Sequence, residues 1–145
     1  MNKKQENFNR EANLFFRTDE REYNFGRRAE IEVKPILEKF LSIPLLDTDK
    51  YDKFDFIGEN IKIELKTRRN KKNKFPTTIV GMTKVDDIKE GEEVYFVFKF
   101  YDGIFYWKYC EDNKFKVSMI KRRDRPEIPA KPYLNIPIEE LQEII

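Results

Sequence analysis

Lys53-Phe54-Asp55-Phe56-Ile57-Gly58-Glu59-Asn60-Ile61-Lys62-Ile63-Glu64-Leu65-Lys66-Thr67 is the stretch on which the fold turns. From Ile61 onward it alternates, so Ile61, Ile63 and Leu65 share one strand face and Lys62, Glu64 and Lys66 the other. Lys53 to Ile57 reads as a shorter strand, and Gly58-Glu59-Asn60 as the turn between the two. With Glu59-Asn60 as a two-residue loop, Gly58 pairs with Ile61, Ile57 with Lys62, Phe56 with Ile63 and Asp55 with Glu64. Directly opposed side chains lie ~5 Å apart on one face. Two carboxylates then meet across the hairpin, with Lys66 one step along.

Working outward, Gly26 to Leu41 has helical spacing, with Ile31, Val33, Ile36, Leu37, Phe40 and Leu41 at intervals of three and four. Pro35 removes a backbone donor and is expected to kink or restart that helix. Glu30 lies on the side of Val33 and Leu37, at i+3 and i+7. Downstream, a short helix is expected near Thr83 to Ile88. Glu93 to Tyr101 is apolar on both faces, as in a central strand. Asp102-Gly103 reads as a hairpin turn and Ile104 to Cys110 as its return. Phe115 to Ile120 and Tyr133 to Ile136 read as further strands, and Pro137 as the first turn of a helix running to Ile145. The order predicts an α/β (α+β) fold with a mixed central sheet flanked by helices. Residues 1–19 read as a flexible or loosely docked arm and 20–145 as one domain.

Composition narrows the chemistry. The chain has 145 residues, of which 39% are charged, yet it carries 13 Phe, 7 Tyr and 1 Trp. That is a dense aromatic core under a charged surface, not a disordered chain. There is no histidine, and Cys110 is the lone cysteine. Internal disulfides, Ser-His-Asp triads and zinc sites resting on His are excluded. Hydrolysis here must run on carboxylates, lysine or a hard cation. Met1 to Arg10 has no secretory character, and no apolar run nears the ~18 residues of a membrane span. The expectation is a soluble intracellular protein, in cytoplasm or nucleus, and in the host cell if viral, with no membrane partner.

Opposed carboxylates are destabilising unless something binds between them. Mg²⁺ prefers one or two carboxylates, waters and phosphate oxygens. Such an ion lowers the pKa of its bound water, and Lys66 can hold that water or offset charge on a phosphate. Glu-x-Lys is weak by itself: a chain this rich in both yields about two by chance, and Glu32-Val33-Lys34 is a second copy. The plain alternative is a pair of solvated polar side chains on an exposed hairpin face. The register of Asp55 and the preceding helix with Glu30 shift the balance. Asp52 is a rival for the role of Asp55, but three positions away it falls on the opposite strand face.

The order Gly26-Arg27-Arg28-Ala29-Glu30, then Tyr51-Asp52-Lys53-Phe54-Asp55-Phe56, then Ile63-Glu64-Leu65-Lys66-Thr67-Arg68 resembles the PD-(D/E)XK nuclease superfamily, the restriction-endonuclease-like fold. The resemblance spans roughly Gly26 to Tyr109. Phe54 stands where the family name places proline. The resemblance implies a Mg²⁺- or Mn²⁺-dependent endonuclease hydrolysing DNA phosphodiesters, duplex or branched. It makes Asp55 and Glu64 metal ligands, Lys66 catalytic and Glu30 an assisting ligand. A structure-selective enzyme such as a Holliday junction resolvase, acting as monomer or homodimer, is one form. A non-catalytic nucleic-acid-binding or protein-interaction module on the same fold is the alternative.

Positive charge gathers just past the motif, in Arg68, Arg69, Lys71, Lys72 and Lys74, and again in Lys121 to Arg125. Against a net charge of only +2, such clusters can track a phosphate backbone or simply be solvated loops. Tyr101, Tyr106, Trp107 and Tyr109 are candidates for stacking on bases, though aromatics at strand spacing are more often core or cross-strand pairs.

Overall fold

The computed structural model describes residues 24–49, 52 and 54–145. The arm expected over residues 1–19 therefore lies outside the described residues. Helix α1 covers 24–41 and runs unbroken through Pro35. The helix does not restart at Pro35, because Pro35 and Ile31 both face outward, Ile31 being 62% exposed. The Ile31 carbonyl that loses its partner at Pro35 is thus on the wet side of the helix. Ala29, Val33 and Leu37 form the buried stripe.

The main sheet has the order β1-β2-β3-β5-β6-β9. Its strands are β1 (Leu46–Asp47), β2 (Phe56–Gly58), β3 (Ile61–Thr67), β5 (Glu93–Phe100), β6 (Gly103–Lys108) and β9 (Gln142–Glu143). β3 and β5 are parallel and the other pairs antiparallel, so the sheet is mixed. β5 is central, as its two-faced apolar run requires. Val94, Phe96, Phe98 and Phe100 fill one core and Val97 the other. The α1 stripe packs on the second of these, against Phe56, Ile63 and Leu65. The first is closed by a three-stranded sheet, β4 (Thr77–Gly81), β8 (Lys131–Pro137) and β7 (Val117–Ile120), through Val80, Leu134 and Ile136. The short helix α2 (Met82–Asp86) follows β4 directly and adds Val85 to that core. Fully burying each of these large side chains contributes roughly 1.5–3 kcal/mol.

The second hairpin turns on Tyr101-Asp102, one residue earlier than expected, and Gly103 pairs with Phe100. The chain end also departs from expectation. Ile138–Glu140 make a single 3-10 turn, and Gln142–Glu143 form β9 instead of a helix. β6 would otherwise be an open edge, with unpaired N–H and C=O groups. Pairing β9 with Phe105 and Tyr106 closes part of it. Ile104 N donates to Ile145 O (3.0 Å) and Ile144 N to Ile104 O (2.8 Å). Gly103 is what permits this approach, since a Cβ there would stand 2.8 Å from Ile145 O and 3.1 Å from the Phe105 ring. Gly103→Ala is expected to push the chain end off the sheet and cost about 1–3 kcal/mol. Urea denaturation measures this, and an unchanged midpoint would contradict it.

Candidate active site

β3 carries the site because its two faces meet two different layers. Ile63 and Leu65 look into the α1 core, whereas Glu64 lies on the face covered by β4 and α2 and is 3% exposed. A carboxylate buried this deeply needs ionic partners. It has two: Lys66 Nζ lies 3.0 Å from Oε1 and Lys84 Nζ 3.1 Å from Oε2. Lys84 comes from α2, and sequence reasoning missed it. The one available signal was a lysine inside the short helix expected near Thr83 to Ile88, with nothing to say where that helix would pack.

Asp55 arrives by an irregularity. The β2–β3 register is as expected from Gly58↔Ile61 through Phe56↔Ile63. Beyond it, Asp55 N donates to Ile63 O (2.9 Å) and Asp55 O accepts from Thr48 N (3.2 Å). Phe54 and Phe56 enter opposite cores, although two residues apart on a regular strand they would share a face. The backbone therefore kinks at Asp55. Leu65 N points to the side where β2 has ended, and Asp55 Oδ2 accepts its proton at 2.7 Å. The carboxyl thus replaces a missing ladder partner. The simple expectation that Asp55 sits opposite Glu64 in a continued ladder is replaced by this kinked geometry.

Three carboxyls adjoin here. Burial pushes the Asp55 carboxyl up to about 7, and the Glu64 charge and the adjoining Glu30 push the same way, against the Leu65 N–H. Glu30, on α1, lies close enough to Asp55 for its charge to add to this upward push. It is held on α1 by Arg27 Nη1 at 2.8 Å, while Arg27 Nη2 also reaches Asp47 on β1 (3.4 Å). The structure thus brings Glu30, Asp55, Glu64 and Lys66 to one place. Asp52 is exposed and its Oδ1 accepts from Phe54 N (3.4 Å), so it braces the turn.

An open cleft of about 320 Å³ leads in, lined by Phe25, Gly26, Glu30, Lys66, Thr67 and Arg69 among others. Arg69 Cζ lies 4.4 Å from the Phe25 ring centroid, a cation–π contact that holds the guanidinium at the rim. Arg68 points elsewhere. Its guanidinium donates to Ile79 O (2.6 Å) and Thr78 Oγ1 (3.3 Å), tying β3 to β4. Burial lowers the pKa of this side chain. Lys71 and Lys74 are exposed, and Lys72 is half-buried with Nζ 4.7 Å from the Phe105 ring. Lys121 to Arg125 form an exposed loop between β7 and β8. Of the aromatics, Trp107 is buried in the core and Tyr109 packs edge-on against it. Tyr106 packs with Phe40 and Tyr95, and Tyr101 is 69% exposed.

The donors around Asp55 are all hard oxygens, which suits Mg²⁺, Mn²⁺ or Ca²⁺ and not a soft ion. The upward push on the Asp55 carboxyl reflects a repulsion that a divalent cation would relieve. Among the described residues no three acidic, Cys or His side chains are already drawn into a metal-holding cluster. Each Glu64 oxygen accepts from one lysine and keeps a second lone pair that a cation could use.

Residues 18–144 match the family model described as "Phage putative PDDEXK endonuclease". The chain belongs to this PD-(D/E)XK endonuclease family. Neither curated proteins nor solved structures gave a significant match. The mixed sheet with a helix ahead of the motif hairpin agrees with the family's fold. Among the described residues no helix is long and apolar enough to cross a membrane.

Proposed function

We propose that the protein is a divalent-metal-dependent endodeoxyribonuclease, hydrolysing phosphodiester bonds with Asp55, Glu64, Lys66 and Glu30. The observation that carries this is buried Glu64, paired with Lys66 at the cleft, beside an Asp55 carboxyl that feels the charges of both Glu64 and Glu30. Membership of an endonuclease family supports DNA as the substrate.

Asp55 and Glu64 are the residues to hold Mg²⁺ or Mn²⁺, with Glu30 assisting. When bound, the ion supplies an acidified water and charge neutralisation at the phosphate. Lys66 is 36% exposed at its side chain, so its ammonium reaches solvent in the cleft while touching Glu64. It donates to the attacking water, orienting a lone pair at phosphorus, and offsets the charge that grows on the phosphoryl oxygens. Water adds to phosphorus and gives up one proton to solvent, one P–O ester bond breaks, and the leaving oxygen takes a proton from solvent. Arg69 at the rim pairs with a neighbouring phosphate. Arg68 is a brace of the fold in this scheme, and Lys71 and Lys74 supply sequence-independent affinity. The chain acts as a monomer that nicks or as a homodimer that cuts both strands, and a branched substrate such as a Holliday junction remains the narrower form of the proposal.

Supercoiled, linear, branched and single-stranded DNA incubated with the protein in Mg²⁺ or Mn²⁺ test this. Cleavage is expected, suppressed by EDTA and reduced at least a hundredfold in Asp55→Ala. Undiminished cleavage in that variant sinks the assignment. Binding without cleavage would favour the non-catalytic module.

A further inference from the structure

A second cleft, of about 360 Å³, lies beyond Lys66 along the same chain segment and belongs to no part of the proposed chemistry. Successive residues there divide between the two clefts. Lys66, Thr67 and Arg69 line the first, whereas Arg68, Asn70 and Lys72 line the second. The opposite wall and floor are apolar: Phe75, Phe100 and Ile138. Phe75 is 54% exposed, so its ring is open to solvent at the cleft, with Lys74 Nζ 5.6 Å from its centroid.

The cleft is preformed. Arg68 N donates to Lys99 O (2.8 Å), Tyr101 N to Asn70 O (3.0 Å), and Ile138 N to Pro76 O (3.0 Å). Lys72 N is held by Asp102 Oδ1 (2.9 Å). Four anchors thus fix the loop that carries Phe75 before any ligand arrives. An apolar slot with an exposed ring, an amide and a cationic rim has the chemistry of a nucleobase attached to phosphate. The ring and floor take the flat base, Asn70, whose Nδ2 already donates to Lys71 O (2.8 Å), offers its amide oxygen to the polar edge, and Lys72 in the lining and Lys74 beside the Phe75 ring suit the flanking phosphates.

We infer that this cleft binds one unpaired base of the DNA, next to the phosphate held at Lys66, with Phe75 as the stacking surface. This rests on the nuclease reading and narrows its substrate to DNA with a single-stranded or distorted position. A base inside a regular duplex cannot reach a slot of this kind without leaving the stack.

The test is binding in EDTA, where cleavage does not run, so it reads separately from nuclease activity. Oligonucleotides carrying 2-aminopurine at successive positions, as single strand, flapped duplex and blunt duplex, are titrated with wild type, Phe75→Ala and Phe75→Trp. Quenching confined to one or two neighbouring positions is expected with wild type and Phe75→Trp. Phe75→Ala should lose it and bind single-stranded and flapped DNA roughly tenfold more weakly, with blunt duplex changed less than about twofold. The absence of positional quenching, no DNA binding, or an equal loss on blunt duplex would overturn the inference. So would a change in oligomeric state in Phe75→Ala with DNA affinity intact, which would make the cleft a protein contact. Failure of wild type to cut any DNA in Mg²⁺ or Mn²⁺ would count against the nuclease reading and leave the stacking result standing.

Discussion

Lys66→Met is expected to lower the cleavage rate by two to three orders of magnitude while the protein stays folded, and Lys66→Met with Lys84→Met is expected to lose the fold's margin as well. Glu64 is 3% exposed and has an ammonium on each oxygen, at 3.0 and 3.1 Å. The two lysine side chains are 36% and 23% exposed, so solvent screens each pair in part. Removing either one leaves the carboxylate paired, and each single variant should cost about 1 kcal/mol or less. Removing both strands a buried charge, a loss of roughly 3–5 kcal/mol. The double variant should therefore be much less stable than the sum of the singles. The rates should divide differently. Lys66 faces the cleft, and removing one donor aimed at developing charge typically costs 10²–10³ in rate. Lys84→Met should cost far less. Chemical denaturation of the three variants and initial cleavage rates of the singles decide it. Additive stabilities, or equal rate losses, would show that the lysines do not share Glu64 in the way the distances imply.

How much of this was legible in the sequence depends on whether the deciding force was local. Strand alternation placed Glu64 and Lys66 on one face and Ile63 and Leu65 on the other, because period two is a property of the strand alone. The turn at Glu59-Asn60 fixed the register as far as Phe56. It did not foretell the kink, which depends on Thr48 and on Phe54 finding room in a different core from Phe56. Lys84 was out of reach for a similar reason: its position depends on β4 crossing over the Glu64 face. Arg68 looked like its basic neighbours, and only the Thr78 and Ile79 oxygens distinguish it. The chain end was misread because Pro137 followed by Glu139, Glu140, Leu141 and Gln142 has helix-compatible chemistry, whereas the open edge of β6, nearly 40 residues away, needed a strand. In each case a local preference yielded to a partner that sequence spacing does not reveal.

Calcium is expected to stabilise the protein strongly at pH 8 and weakly at pH 5.5, through Asp55. Burial beside Glu64 and Glu30 raises that carboxyl from its ordinary 3.8 to about 7. A raised acid binds its proton more tightly in the fold than in the unfolded chain. Between pH 4 and 7 the folded state therefore holds more protons, and stability falls as pH rises through that window. Three units correspond to roughly 4 kcal/mol at most. The contribution is fully present below pH 4 and gone above pH 7. A divalent cation needs the ionised form and so competes with that proton. At pH 8 the site is deprotonated and strained, and Ca²⁺ at a hundred times its dissociation constant adds about 2.7 kcal/mol. For a chain of this size that is a rise in Tm of roughly 5–15 °C. At pH 5.5 the proton must first leave, so the same calcium concentration should give only a small part of that shift. Asp55→Asn should abolish the calcium shift and flatten the stability profile between pH 4 and 7. Thermal melts at the two pH values, with and without Ca²⁺, suffice. Equal shifts at both, or a calcium response that survives Asp55→Asn, would place the cation away from the Asp55 carboxyl and with it remove the basis for calling Asp55 a ligand.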